Sequence, residues 1–265
     1  MADLYFPQLT SGALAQFPIH KKRTERTVTN VLADGSLILD PDPAAGRLMW
    51  SLSYSGLSIV EMNQLQALFQ ACNGPLRGFT FIDPTDNMFS SSGDLTAAVW
   101  QNEASMTISG GAADPFGGTG AFVVTNNSQL EQELTQTIAV PAGYMYCFSI
   151  YVLSAEVGTI GLLRQGAADE VMSAVSTGPT WSRAISQGNL NDSGTTLTAG
   201  ISLQPGQQIT VFGPQLEAQW APSSLRLTGE SGGVYADAHW LDTDLAVAPT
   251  GPNLFSTIVN IETVL

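Results

Sequence analysis

The sequence is short of charge, of basic residues above all, and of cysteine and histidine. Only 12% of its 265 residues are charged. An average soluble domain has roughly 25%, so the polar surface here must be built from Ser, Thr, Asn and Gln, as β-rich chains do. Lys and Arg number 9 against 23 Asp and Glu, a formal net charge of −14. A free nucleic-acid binder needs a basic footprint to displace counterions, so direct nucleic-acid binding is not expected. No apolar run approaches the ~20 residues of a spanning helix, and Met1 to Thr10 lacks a basic-then-apolar leader pattern, so no membrane insertion is expected. Cys72 and Cys147 stand in no Cys-x-x-Cys and away from histidine, which excludes a disulfide scaffold and disfavours zinc. His20 and His239 belong to no His-Glu-x-x-His, and Gly-x-Ser-x-Gly is missing, so the chain is not expected to be an enzyme.

The charge that is present lies unevenly. Residues 1–87 hold six basic and eight acidic residues, residues 88–232 three and eleven, and residues 233–265 none and four. The basic ones bunch at Lys21, Lys22, Arg23 and Arg26, a patch suited to an acidic partner, including a second copy of this chain.

The first stretch reads as a sheet with one helix. β-prone runs at 27–32 and 36–40 flank Ala33-Asp34-Gly35, a hairpin signal. From Arg47 to Ser55 the pattern has period two, with Leu48, Trp50, Leu52 and Tyr54 on one face of a half-buried strand. Ser58-Ile59-Val60-Glu61 is a capping box, and Met62, Leu65, Phe69 and Cys72 recur at helical spacing behind it. Asn73-Gly74-Pro75 stops the helix, with Gly74 suited to the left-handed position. Phe79 and Phe81 then alternate in a strand that closes on a turn, Asp83-Pro84-Thr85-Asp86.

From Met88 to Pro222 helical periodicity gives way to short β-prone runs at 106–108, 121–124, 134–138, 146–152, 159–163, 180–183, 195–201 and 208–212. Their spacing and turn-rich connections predict an antiparallel sandwich. Two more strands are predicted at 245–248 and 258–265; so short a segment cannot bury a core alone and should join the first stretch. Glu131 and Glu133 would share a face of an extended chain, a glycosidase-type pair that would need a cleft and a raised acid pKa to act.

Trp50-x-Leu52-x-Tyr54, Gly56-Leu57-Ser58, the helix end Leu68 to Gly74 and the run Gly78 to Asp86 resemble, in that order, the N-terminal region of distal tail proteins of long-tailed phages and gene transfer agents. The runs His239 to Val247 and Ile258 to Glu262 resemble the end of the same family. The interval resembles a different module. Ser92-Gly93-Asp94-Leu95 with Trp100, Asp114 to Ala121, Phe148 to Val152, Thr180-Trp181-Ser182-Arg183 and Val211 to Ala218 are similar to the carbohydrate-binding-module-like jelly rolls of phage tail and tip proteins.

Together the resemblances imply a mainly β chain with one helix. An α+β tail-ring domain over 1–87 and 229–265 would be split by an inserted antiparallel β-sandwich, a jelly roll, over 88–228. They imply a structural virion protein of the distal tail (baseplate or tail tip), made in the bacterial host cytoplasm. Its copies would form a homo-oligomeric ring, a hexamer, between the tail tube protein and a hub or tip protein. Lys21, Lys22, Arg23 and Arg26 would lie at the subunit interface, and the insertion would point outward toward host-surface polysaccharide. In such a module Trp100 and Trp181 belong to the core, which leaves Phe116 and Tyr144 as glycan-stacking candidates. A structural calcium would find Asp94 and Asp114 on matching loops, within a set of six to eight oxygens. The readings from other classes are a receptor-binding adhesin and a glycan depolymerase using Glu131 and Glu133.

Overall fold

The computed structural model describes residues 3–265, with the backbone alone at 43 and 44. In chain order it holds β1 (Ile19–Val31), β2 (Leu37–Ser58), α1 (Ile59–Cys72), β3 (Phe79–Ile82), β4 (Gln101–Asn102), β5 (Met106–Ala112), β6 (Ala121–Asn126), β7 (Gln132–Ile138), β8 (Tyr146–Leu153), β9 (Gly158–Gln165), β10 (Glu170–Thr177), β11 (Ser182–Gly188), β12 (Leu197–Leu203), β13 (Gln208–Glu217), β14 (Val234–Trp240), β15 (Val247–Gly251) and β16 (Leu254–Val264). The chain is therefore mainly β, with one α-helix among the described residues. It divides into two units. The first comprises the chain up to Phe81 together with Tyr235–Leu265, and the second is Ile82–Val234.

In the first unit, Asp34 and Gly35 turn the chain as expected. Leu32 donates to Ser36 O at 2.9 Å, Asp34 Oδ1 accepts from Ser36, and Gly35 sits at φ +83°, a conformation that suits a residue without Cβ. The strands on either side run much further than the β-prone runs suggested, pairing from Val31↔Leu37 back to Ile19↔Leu52. β2 carries β1 on one edge and the closing strand β16 on the other, and the sheet order is β1-β2-β16-β14-β3, with β15 added to β16. Trp50, Leu52, Tyr54, Phe79, Phe81, Trp240, Val259 and Ile261 fill its core, with the Trp50 and Phe81 rings 4.9 Å apart.

The helix packs Met62, Leu65, Leu68 and Cys72 inward. Its left-handed stop begins one residue earlier than expected, at Asn73 (φ 56°), with Gly74 following at φ +62°. Its start is held by Glu61. One carboxylate oxygen accepts from Ser58 N and Oγ at 2.8 and 2.7 Å, closing the capping box. The other accepts from Thr10 N and Oγ1 at 3.0 and 2.7 Å, which ties the N-terminal segment to the helix. Burial works to raise the Glu61 pKa, but the Thr10 and Ser58 hydrogen bonds outweigh it and bring it from 4.5 to about 2.

The second unit is a sandwich of two antiparallel sheets, β10-β9-β12-β7-β4 and β11-β8-β13-β6-β5. From β7 onward, apart from the β9–β10 hairpin within one sheet, the chain passes back and forth between the sheets, as jelly-roll strands do. Leu134, Phe148, Ile150, Val152, Ile160, Leu162, Ile201 and Val211 are buried inside. Asp83 N donates to Gly233 O at 2.8 Å and Gly233 N to Asn87 O at 2.7 Å, so the segments entering and leaving the sandwich are clasped together. Asn87 and Thr228, the expected ends of the insertion, both lie within the unit. The buried Asn87 side chain donates to Pro214 O and Arg226 O and accepts from Phe89 N and Leu216 N. Thr228 Oγ1 donates to Phe89 O at 2.6 Å.

A carboxylate depressed by native hydrogen bonds stabilises the fold above its ordinary pKa and stops doing so as pH falls through the native value. Denaturant unfolding should therefore lose stability between pH 5 and 2. Glu61→Gln should cost roughly 1–3 kcal/mol at pH 7 and flatten that pH dependence. An unchanged acid slope in the variant would show that Glu61 does not govern it.

Candidate ligand-binding face of the second sheet

β8, β11 and β13 lie side by side, and their register sets Arg183 opposite Tyr151 and Tyr151 opposite Phe212. The intervening residues Val152, Ala184 and Val211 are buried in the sandwich, so period-two alternation turns Arg183, Tyr151 and Phe212 to the outer face. The row ends at a bulge between Phe212 and Gln215. There Gly213 takes φ +57°, and a Cβ on it would strike Leu225 Cδ1 at 2.6 Å. The left-handed conformation favours glycine here, and a larger residue would also have to displace the Leu225 side chain. Ser223 O accepts from Arg183 Nη1 at 2.6 Å, and Gln215 Oε1 accepts from Arg226 N at 2.7 Å, which fastens that segment over the face.

Phe116 reaches the same face from the loop between β5 and β6, and Asp114 builds that loop. Its carboxylate accepts from the N–H groups of Phe116, Gly118 and Gly120 at 2.8, 3.0 and 3.1 Å. These bonds, that of Gly120 foremost, hold the carboxyl below its usual range. The Phe116 ring meets Tyr151 edge-on at 5.5 Å and Phe212 at 6.0 Å, yet remains 65% exposed. Arg183 covers Tyr151 at 5.5 Å from the ring centre, and its Nη2 donates to Ser149 Oγ at 3.0 Å. The result is an aromatic surface edged by a cation held in one orientation. Such a surface can take the apolar face of a ring-shaped ligand and offer polar contacts at its rim.

The other expected site residues lie elsewhere. Tyr144 stacks on Tyr146 at 6.4 Å, in a separate aromatic pair where the preceding turn enters β8. Trp100 is buried against Phe89 and donates to Ser91 O. Trp181 departs from the core expectation: it is only half-buried, because it stands just before β11 at the sandwich rim. Asp94 accepts from Thr96 Oγ1 and N, which lowers its pKa. Asp94 and Asp114 each serve their own turn, and among the described residues no three His, Cys, Asp or Glu side chains converge.

Lys21, Lys22, Arg23 and Arg26 lie on exposed β1, where Lys21 covers Trp50, Arg23 pairs with Glu25 and Arg26 with Asp42. Glu131 accepts from Ser202 Oγ, and Glu133 stands opposite Ser202. The Glu133 pKa is raised by burial first, and then by Glu170, Glu103 and Glu131. Tyr151, Phe212 and Arg183 were legible only as strand residues. Alternation along 146–152 and 180–183 would have put Tyr151 and Arg183 outside the core, but nothing local says that the two strands are neighbours.

No family model matches the sequence, and no curated protein matches it. Solved structures to which it is similar overlap about half of the chain. One is the enzymatically active domain of tailspike protein 4 from bacteriophage CBA120, with 12% identity and a TM-score of 0.40, covering 52% of this chain and 22% of that one. This chain thus spans under a quarter of that tailspike domain. Another is the CBM22-1 xylan-binding domain of Xyn10C from Paenibacillus barcinonensis, with 12% identity and a TM-score of 0.41, covering 55% of this chain and 98% of that one. A third is a xylan-binding domain from CBM 22, with 13% identity and a TM-score of 0.44, covering 53% of this chain and all of that one.

Because Asp114 shapes the Phe116 loop, Asp114→Ala should speed amide exchange at Gly118 and Gly120 by about tenfold or more. In wild type the protection should persist above the ordinary carboxylate pKa and fade as pH falls below it. Equal exchange in the two proteins would mean that the loop does not need the carboxylate.

Proposed function

We propose that this chain is a non-catalytic structural subunit of a phage-type distal tail, whose copies close into a ring through the first unit. Tail tube and hub or tip proteins would be its neighbours, and the virion tail its location after synthesis in the host cytoplasm. The observation that carries this reading is the β1–β2 hairpin. Beyond a register shift between Thr24 and Arg26 it continues as a two-stranded ribbon, on which Val31, Leu37 and Leu39 are 69, 60 and 59% exposed. Val28, Leu32 and Ile38 are exposed as well. A lone two-stranded ribbon is marginal in water, and a run of apolar side chains left in the open calls for cover from another chain.

A ring needs a heterologous contact, in which one face of a subunit meets a different face of the next. The first unit offers a cleft of about 550 Å³ lined by Tyr54, Val247, Ile258, Asp242 and Asp244 among others. It is apolar and acidic, and the ribbon is apolar at its tip and basic at its root. The order of sequence motifs at both chain ends supports the distal tail assignment. A second reading, an adhesin, is favoured by the exposed Phe116 platform; it would make glycan contact by the second unit the main task rather than an added one.

Mass photometry and negative-stain imaging of the purified chain should show closed rings that weaken as salt is raised. Leu37→Asp with Leu39→Asp should leave a monomer with an unchanged melting curve, and Lys22→Glu with Arg23→Glu should weaken association several-fold. A wild-type chain that stays monomeric at all accessible concentrations, or rings indifferent to the ribbon substitutions, would sink the reading.

A further inference from the structure

Residues 88–232 hold eleven acidic side chains and three basic ones, Arg164, Arg183 and Arg226. In such an excess each arginine would be expected to sit beside a carboxylate. Among the described residues none of the three does; the ion pairs present lie in the first unit. Arg164 is consumed inside the sandwich, where it is buried and donates to Ser186 Oγ and Gly188 O. Arg226 is exposed on the segment that follows β13.

Arg183 is different, because it is fixed and makes no ion pair; the nearest carboxylate in its network, that of buried Glu217, accepts from Ser223 N instead. Ser223 O, Ser149 Oγ and the Tyr151 ring set the plane of Arg183, while its buried Nε–H has no acceptor. A guanidinium has five N–H groups, so a second one on each terminal nitrogen is left over. Phe116 packs on the same Tyr151 ring, exposed and held in place by the Asp114 loop. Asp114, the acid of that loop, is turned into its own N–H groups.

A rigid cation with no carboxylate in contact with it, at the rim of an aromatic surface, is matched by a ligand that carries a planar anion on an otherwise stackable ring. Guanidinium and carboxylate have complementary forked geometry, which an uncharged hydroxyl does not reproduce. The acidic surroundings repel anions at long range, but at physiological ionic strength that field is screened beyond about 8 Å. A pair in contact escapes most of this screening.

We propose that the face formed by Phe116, Tyr151 and Arg183 binds carboxylate-bearing sugars of the uronic acid type, with the pyranose on Phe116 and the carboxylate on Arg183. This rests on the reading that the second unit contacts glycans. Sulfated and phosphorylated sugars share the anionic character but lack the planar fork, and they form a separate arm of the test.

The full-length protein should be titrated with oligogalacturonate, oligomannuronate and oligoglucuronate, each beside its methyl ester, and with neutral xylo- and galacto-oligosaccharides and a sulfated galactan oligosaccharide. At least one uronate should bind tenfold or more tightly than its ester. Arg183→Gln should reduce that uronate to the level of the ester, and Arg183→Lys should retain part of the difference. Phe116→Ala, at an exposed position that tolerates truncation, should weaken acid and ester alike by tenfold or more. Melting curves check that the Arg183 variants are folded. Equal binding of acid and ester, a preference that survives Arg183→Gln, or a sulfated glycan preferred over every uronate would overturn the proposal. Binding of neutral sugars alone would overturn it and leave glycan contact standing; silence across the whole panel would remove both.

Discussion

The pairing of β2 with β16 is the contact on which the first unit depends. It sets Ser58 opposite Leu254 and Arg47 opposite Val264, so strands from opposite ends of the chain share one sheet. Without β16, β2 would have β1 alone as a neighbour, and Val259 and Ile261 would be missing from the core around Trp50. The entropic cost of closing a loop rises only slowly with its length. A long interval between the two strands is therefore tolerated, provided that it folds on its own and its ends lie together. The chain leaves after β3 and returns in β14, and these are neighbours in the sheet. The interval thus occupies a position where a short turn would serve as well.

The sandwich meets the second condition through its own hydrogen bonds. The Asp83–Gly233 and Gly233–Asn87 bonds draw the two segments together, and the buried Asn87 side chain reaches Pro214, Arg226, Phe89 and Leu216. A buried amide is costly unless it is satisfied, and four partners make this one a fixed point. The same register that places β13 beside β8 also aligns Arg183, Tyr151 and Phe212. The outer face is in that sense a by-product of strand order, made specific by the Asp114 loop that delivers Phe116.

Local signals in the sequence were good guides where the physics is local. Asp34-Gly35 between β-prone runs marks the hairpin, and Ser58 with Glu61 marks the helix start, because each turn or cap is decided by a few adjacent residues. β10 escaped notice because Glu170 to Thr177 mixes apolar and polar residues on both faces at a sheet edge, with little contrast between the faces. β14 escaped for a similar reason: Val234 to Asp237 look like loop, and only Ala238 and Trp240 are buried. The second function of Glu61, accepting from Thr10, could not be seen either, because nothing near residue 10 announces a partner at 61.

Composition and spacing by themselves determined the class of this protein. Few charges, short alternating runs and one capped amphipathic helix admit a mainly β chain with a single helix, because alternation and capping act over a handful of residues. Tertiary structure alone decided which strands are neighbours, and with that which side chains share a face. Arg183 became a cation over Tyr151, whose ring Phe116 also meets, Trp181 came to rest at the rim rather than in the core, and the apolar residues of the β1–β2 ribbon were left uncovered. The physical reason is that strand pairing is a long-range choice. It is set by the burial of whole faces and by loop closure, and no short segment of sequence carries that information.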